Sequence, residues 1–229
     1  MSIPEQYHVE KIPAELAYPF ILKSHYAHRI PPIQLAFGLY EGLNLKGVCT
    51  FGRPCAHKLI QNAFQGKYQD QFLELNRLCV IEGLEKNTLS HFVSQALKLL
   101  PSPMVVVSYA DTKMNHYGYI YQALNFIYTG LSAERKDVFI KGMEHKHYTS
   151  LYDSLGRGVK DRASIMKKMY GDKVYYKERS RKHRYFYFHG NKTDRKEMAR
   201  LLIYPVLPNP KGESQHYKTE KVMTLQRLI

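Results

Sequence analysis

The sequence predicts an α/β (or α+β) domain built on a mixed central sheet flanked by helices. Three observations carry that expectation. Gln34–Tyr40 and Gly47–Phe51 are β-rich runs separated by EGLNLK, where Gly42 and Asn44 supply turn chemistry, so they read as an antiparallel hairpin. Residues 72–80 (FLELNRLCV) alternate apolar and polar as a half-buried strand does, and after the loop 81–88 the apolar residues at 89, 92, 93, 96, 97, 99 and 100 form a helical stripe. Pro101 and Pro103 end that helix, and residues 104–110 (MVVVSYA) are an apolar run typical of a strand covered on both faces.

The remaining elements follow in chain order. Tyr7–Ile12 reads as a short strand, and residues 13–22 as a helix opened by Pro13 at its first turn and interrupted in pattern by Pro19. A helix is expected at His57–Phe64 and another within Tyr117–Phe126, with strands near Val138–Lys141 and at Arg184–Phe188. There is no internal repeat, low-complexity tract or linker long enough to separate two cores.

Composition sets the class. The chain has 229 residues, 44% of them hydrophobic, which suffices for a sizeable core in one large domain. No apolar run approaches the roughly 18–20 residues of a membrane span, and the first thirty residues lack a charged start followed by a cleavable apolar stretch, so a cytoplasmic protein is expected. Cys49, Cys55 and Cys79 are odd in number and contain no C-x-x-C pair, which fits reduced, packed thiols better than disulfides or a zinc knuckle.

Charge is regional. Residues 1–132 carry 11 Lys+Arg against 9 Asp+Glu, whereas residues 133–229 carry 23 against 11, and this excess calls for a polyanionic partner. Its densest part contains Lys177, Arg179, Arg181, Lys182 and Arg184, bracketed by Tyr175, Tyr176, Tyr185, Phe186, Tyr187 and Phe188. Cations hold phosphates and rings stack on unpaired bases, so the mixture suits nucleic acid better than a lipid surface; a solvated loop leading into a strand is the alternative.

The central unit carries the candidate chemistry. Leu78–Ser90 is a strand, loop and helix start, whose backbone N–H groups can bind phosphate without a particular side chain. Leu78 and Val80 end the strand, and Asn87, Thr88 and Ser90 open the helix, where they could equally act as caps. The loop has neither G-x-G-x-x-G nor G-x-x-x-x-G-K-[ST]. Arg77 could clamp a phosphate or carboxylate, or pair with Glu74. Asp111 follows an apolar strand at its carboxyl end, where ligands gather in open α/β sheets, or caps the next helix. Tyr109, Tyr117, Tyr119 and Tyr121 crowd the same neighbourhood, where a phenol can hydrogen-bond a base or act as an acid. His25 and His28, three apart, could share a helical face as metal ligands or supply a general base. A methyltransferase of DNA amines would need a [DNS]-P-P-[YFW] loop, and Ile30-Pro31-Pro32-Ile33 lacks its polar residue.

Four stretches resemble one family: ELNRLCV at 74–80, Ser108-Tyr109-Ala110-Asp111, residues 116–130 (HYGYIYQALNFIYTG), and Lys182-His183-Arg184-Tyr185-Phe186-Tyr187-Phe188. Together they are similar to the Mom DNA-modification proteins of phages, over most of residues 20–190. The resemblance implies a fold like that of the GCN5-related acyltransferases across 1–190, with 191–229 as a basic C-terminal extension. It implies conversion of the exocyclic amine of adenine in double-stranded DNA to a carbamoylmethyl amine, protecting phage DNA from host restriction. Carried over by motif, the site residues are His25 and Tyr26, Arg77, Asp111 and Tyr121, with Ser90 at the next helix start. The loop after Val80 lacks the glycine-rich signature of ordinary acetyl-CoA users, which leaves the donor open between acetyl-CoA and another acyl or aminoacyl carrier. The family also brings iron into view, with His25 and His28 as the first ligands to consider.

Two other functions stay in play: a non-catalytic nucleic-acid binder on the same scaffold, and an acyl- or aminoacyl-transferase acting on RNA or another amine.

Overall fold

A hairpin with Gly42 at φ +57 starts the sheet, because that glycine takes the left-handed conformation a two-residue turn between Glu41 and Asn44 requires. The computed structural model describes residues 2–25, 28–145, 151–152, 154–156, 159 and 161–212. The chain falls into two units, Met1–Gly130 with His183–Ile229, and Leu131–Lys182.

The first unit is built on a seven-stranded sheet of order β1-β2-β3-β4-β5-β9-β6. Its strands are β1 (Tyr7–Ile12), β2 (Leu35–Glu41), β3 (Asn44–Gly52), β4 (Phe72–Val80), β5 (Met104–Asp111), β6 (Ile127–Leu131) and β9 (Lys182–His189). β1 to β4 pair antiparallel in sequence, and β4 pairs parallel with β5. The helices of this unit are α1 (Ile3–Gln6), α2 (Ala14–Ser24), α3 (His57–Asn62), α4 (Thr88–Lys98), α5 (Tyr119–Ala123) and α7 (Lys192–Leu201). This is the mixed α/β architecture the sequence predicts.

Helices cover both faces. On one, Phe92, Val93, Ala96 and Leu97 of α4 pack on Phe37, Phe51, Leu73, Leu75 and Val106. On the other, Ala17 and Ile21 of α2 pack on Ala36, Val48 and Cys79, while Leu59 and Ile60 of α3 and Met198 and Leu201 of α7 cover Phe72, Val105, Val107 and Phe186. Each large apolar side chain so buried contributes about 1.5–3 kcal/mol. Phe64 adds edge-on contacts to Tyr68, Phe72, Phe186 and Phe188 at centroid distances of 5.8–6.0 Å, geometries worth about 0.5–1.5 kcal/mol each beyond area burial.

One irregularity positions the site. In the β3–β4 ladder Thr50 pairs with Arg77 but Phe51 with Leu75, so Asn76 is an extra residue, a bulge. Leu73 and Leu75 face the α4 side before it, and Leu78 and Val80 face that side after it. The two-residue alternation therefore resets, and Asn76 and Arg77 both lie on the α2 side.

Several expectations change in extent. The helix expected within 117–126 is only α5, Tyr119–Ala123, because Gly118 at φ +72 breaks the chain just before it. Cys49 and Cys79 are buried as expected, but Cys55 is exposed. It precedes α3 in a connection outside the core, where no strand or helix stripe holds it inward. α1, β6, α7 and two elements of the second unit were not expected from the pattern. They are short or polar, and α7 has a single apolar stripe carried by Met198 and Leu201. The beginning of the 191–229 segment is thus a helix packed on the core, and its last seventeen residues lie outside those described.

The second unit pairs β7 (Lys136–Ile140) antiparallel with β8 (Val174–Glu178), beside α6 (Arg162–Tyr170). Its core is Ile140, Leu151 and Met166, with Val174 and Tyr170 against them. Among the described residues, no helix is long and apolar enough to cross a membrane.

The core also holds imidazoles. His183 lies buried with Nδ1 2.8 Å from the Tyr128 hydroxyl, and burial pushes its pKa below the usual range, as it does for His91 and His116. Below about pH 6.5 the unfolded chain takes up protons that these folded imidazoles resist, so their contribution is full above that pH and is lost as pH falls through the folded values. Melting temperature should therefore decline between pH 7.5 and 5.5, before carboxylates titrate. A flat profile over that window in scanning calorimetry would contradict it.

Candidate functional site

The site is built at the carboxyl ends of β4 and β5 in the first unit. Among the described residues the β4–β5 ladder runs from Phe72↔Val105 to Leu75↔Ser108, while β4 continues to Val80 along β3. The Ser108 hydroxyl, wholly buried, donates to the Leu75 carbonyl at 3.0 Å and closes the ladder there. The bulge at Asn76 follows at once, just past the last pair of the β4–β5 ladder.

A strap runs along the α2 side of β4 at the bulge. After α2 the chain turns at His28, whose φ is +42 and whose Nδ1 lies 2.8 Å from the Leu22 carbonyl oxygen. Arg77 Nε and Nη2 then donate to the Arg29 carbonyl at 3.2 and 3.0 Å, and Nη1 donates to Asn76 O at 2.6 Å. Asn76 Nδ2 donates to the Pro32 carbonyl at 2.9 Å, while its Oδ1 accepts from the Thr50 hydroxyl at 2.7 Å. A Cβ on Gly52 would stand 1.9 Å from the Pro32 oxygen, so only glycine admits the strap. Arg77 is thus engaged with backbone carbonyls, and Asn76, which the alternating pattern did not single out, is the second anchor. The half-buried His25 lies at the start of this strap, and Tyr26 lies outside the described residues.

Asp111 ends β5. It is 8% exposed, and its Oδ1 accepts the Lys113 N–H at 2.9 Å, capping the single 3-10 turn at Thr112–Met114. Val105, Val107 and Tyr109 face the α3 side and Ala110 the α4 side, so alternation puts Asp111 on the same face as Asn76 and Arg77. Beside it, burial pushes the His116 imidazole below the usual range, and the Asp111 charge opposes that shift. Arg184 of β9 shares this face with Phe186 and Phe188. Its Nε donates to Thr129 Oγ1 at 2.9 Å and its Nη2 to Thr129 O at 3.0 Å, with the guanidinium 3.6 Å from the Tyr204 ring centre. Burial lowers its pKa, partly offset by Tyr204 and Tyr109. The Tyr121 ring instead belongs to the α4-side core, against Phe126 and Tyr185 at 5.3 Å.

The residues expected to hold a donor lie around α4. Asn87 and Ser90 line a depression of about 380 Å³ together with His91, Ser94, Ala123 and Leu124. Asn87 is left-handed at φ +72, and its carbonyl accepts from the Ser90 hydroxyl at 2.8 Å. Thr88 is wholly buried and its Oγ1 has no hydrogen-bond partner among the described residues. Leu78 and Val80 pack against the α4-side core. Of the expected donor residues, Asn87 and Ser90 line the depression, Thr88 is interior, and Leu78 and Val80 are partly buried against the core.

The expected cationic surface is distributed across both units. In the second, Arg179 Nε donates to both Asp137 carboxylate oxygens at 2.9 and 3.0 Å, and its Nη2 also contacts Asp137. Arg181 Nε donates to Ser132 O at 2.8 Å and its Nη1 to Glu134 at 3.4 Å. The Lys182 backbone N–H donates to the Ser132 hydroxyl at 2.9 Å. Lys177 is exposed. Charge runs in the sequence count these arginines with the lysines, although much of their hydrogen-bonding capacity serves the fold.

A resident iron would need three or more close His, Cys, Asp or Glu side chains, and no such group exists among the described residues. His25 and His28 are not part of such a group among the described residues, and Tyr26 between them lies outside those described.

The sequence profile of the Mom protein family matches residues 6–211. The methylcarbamoylase mom of Escherichia phage Mu is 31% identical over 127 residues, which cover 53% of this chain and 53% of that protein. The matched stretch thus spans about half the length of that relative. Among solved structures, a GNAT-family acetyltransferase from Bacillus cereus is similar at a TM-score of 0.40 with 11% identity, over 81% of this chain and 99% of that one. A Bacillus subtilis acetyltransferase in complex with CoA gives 0.41 with 13% identity, over 80% and 98%. Likenesses at this level identify no activity.

Proposed function

Because the chain belongs to the Mom protein family, we propose that it modifies DNA, transferring a group to the exocyclic amine of adenine to give a carbamoylmethyl amine and so shielding phage DNA from restriction. The observation that carries the reading is the family match over residues 6–211, and in the structure strand alternation puts Arg77, Asp111 and Arg184 on one face of the sheet. The α4 depression lies on the other side of the sheet, and Asn87 and Ser90 in its lining are the candidate donor contacts.

The target amine is paired inside a duplex, so adenine must be extruded before reaction. Its nitrogen then bonds to the donor's carbon, the bond to the donor's leaving group breaks with its electron pair, and one amine proton passes to a base. Asp111 is the preferred base, held by the Lys113 N–H, and His25 on the strap is the second candidate. Arg77 acts by positioning the strap through Arg29 O rather than by clamping an anion. The donor must carry a carbamoylmethyl group with a leaving group on its CH2 carbon; transfer from acetyl-CoA would give an N-acetyl amide instead.

Mass spectrometry of nucleosides from cells expressing the protein is the direct test. A modified adenosine carrying the mass of a carbamoylmethyl group is expected, and unmodified adenine beside folded protein would overturn the proposal. A transferase acting on RNA would show the added mass in ribonucleosides instead.

A further inference from the structure

The unit between β6 and β9 carries 14 Lys+Arg against 7 Asp+Glu over residues 131–182, half of the chain's net charge of +14 in under a quarter of its length. Its two-stranded ribbon has two unlike faces. Val138 and Ile140 point inward, the latter onto Met166 and Leu151, and their ladder partners are Tyr176 and Val174. The opposite face pairs Phe139 with Tyr175 and Asp137 with Lys177. There the Phe139 and Tyr175 rings stack at 5.7 Å with an interplanar angle of 23°. Lys177 Nζ stands over both, 5.3 Å from the Phe139 centroid and 5.4 Å from that of Tyr175. The Tyr175 hydroxyl donates to Glu144 at 3.3 Å, and Arg179 holds Asp137 at the far end of the same face. These two acidic groups are thereby engaged, which leaves the rings and an exposed ammonium as the recognition elements.

We infer that this ribbon face is a stacking platform for unpaired nucleotides of DNA, with Phe139 and Tyr175 receiving a base and Lys177 its phosphate. Two stacked rings on adjacent strands offer an apolar face on which a further ring can stack, indifferent to base identity. Phe139 and Tyr175 are half-buried with Lys177 over them, and a lysine so placed is held more weakly than a stacked base, so an arriving base displaces the ammonium, which then meets the neighbouring phosphate. The net charge of the unit draws the backbone in without specifying sequence. The inference rests on the reading of the chain as a DNA-modifying protein, since base extrusion is what creates unpaired nucleotides, but it concerns binding alone.

The test is binding of the full-length protein to a single-stranded DNA containing 2-aminopurine, against the same sequence as a duplex. Stacking should quench the probe in the single strand. Phe139→Ala and Tyr175→Ala should each weaken single-strand binding about tenfold and abolish the quench, while Tyr175→Phe keeps both. Lys177→Ala should lower the slope of log affinity against log salt by about 0.7. Circular dichroism and the melting temperature of each variant separate lost stacking from lost folding, and Tyr175→Phe retains a folded ribbon in any case. Unchanged quenching in folded Phe139→Ala and Tyr175→Ala would overturn the platform, as would tighter binding of RNA than of DNA. Because the readout is fluorescence, it stands apart from nucleoside modification: quenching without modified adenine upholds the platform and sinks the activity, and modification without quenching does the reverse.

Discussion

Asp111→Asn should lower adenine modification by about 10²–10⁴-fold while leaving the protein folded. The substitution is chosen because an amide oxygen can still accept the Lys113 N–H that Asp111 Oδ1 accepts at 2.9 Å, so the 3-10 turn after β5 keeps its cap. What the amide cannot do is take a proton from a weakly nucleophilic aromatic amine. Nucleoside mass spectrometry gives the rate effect, and calorimetry reports whether the fold is intact. Activity within a few-fold of the parent would remove Asp111 from the chemistry and move the base to His25.

The second large effect is expected from Gly52→Ala, a change far smaller than most in chemical terms. A methyl group there would sit 1.9 Å from the Pro32 oxygen, 2.9 Å from Asn76 Nδ2 and inside the strap. Either the strap moves away, losing the Asn76–Pro32 and Arg77–Arg29 bonds, or the β3–β4 ladder yields. Overpacking of this kind costs about 1–3 kcal/mol, which for a chain of this size lowers the melting temperature by about 3–10 °C. Modification should fall with it even at temperatures where the variant stays folded, since His25 would lose its fixed position. A variant that melts with the parent would show that the strap does not depend on close contact with β3.

Arg77→Lys should behave differently from either. Three guanidinium bonds at 2.6–3.2 Å run to two carbonyls, a geometry that a single ammonium cannot reproduce, so strap mobility should rise with only a modest change in melting temperature. Hydrogen exchange at residues 28–34 reads this directly, and protection equal to that of the parent would contradict it.

Local periodicity made the central elements legible in the residues alone. β4 is Phe72–Val80 and β5 starts at Met104, both as alternation and apolar runs indicate, and the hairpin and α4 follow from turn chemistry and a helical stripe. These signals survive because they depend on neighbours within one element. Short or polar elements such as β6 and α7 give no such signal, and their place depends on partners supplied by β9 and the α3-side core.

The same division holds for the site. Residue types in ELNRLCV and SYAD mark Arg77 and Asp111 as candidates, and Arg77 stands out of the apolar row in the residues and in the structure alike. The bulge at Asn76 that sets this face has no local signal, and Thr50 and Pro32, 26 and 44 positions away, bind the Asn76 side chain there. Composition likewise counts Arg179, Arg181 and Arg184 as surface charge, whereas Asp137, Ser132 and Thr129 bind their guanidiniums. The chain by itself therefore settled the longer, strongly periodic strands and helices, since backbone periodicity is a property of contiguous residues. Which side of the sheet a side chain faces, and what its polar atoms bind, was decided by contacts between distant residues that only the tertiary structure brings together.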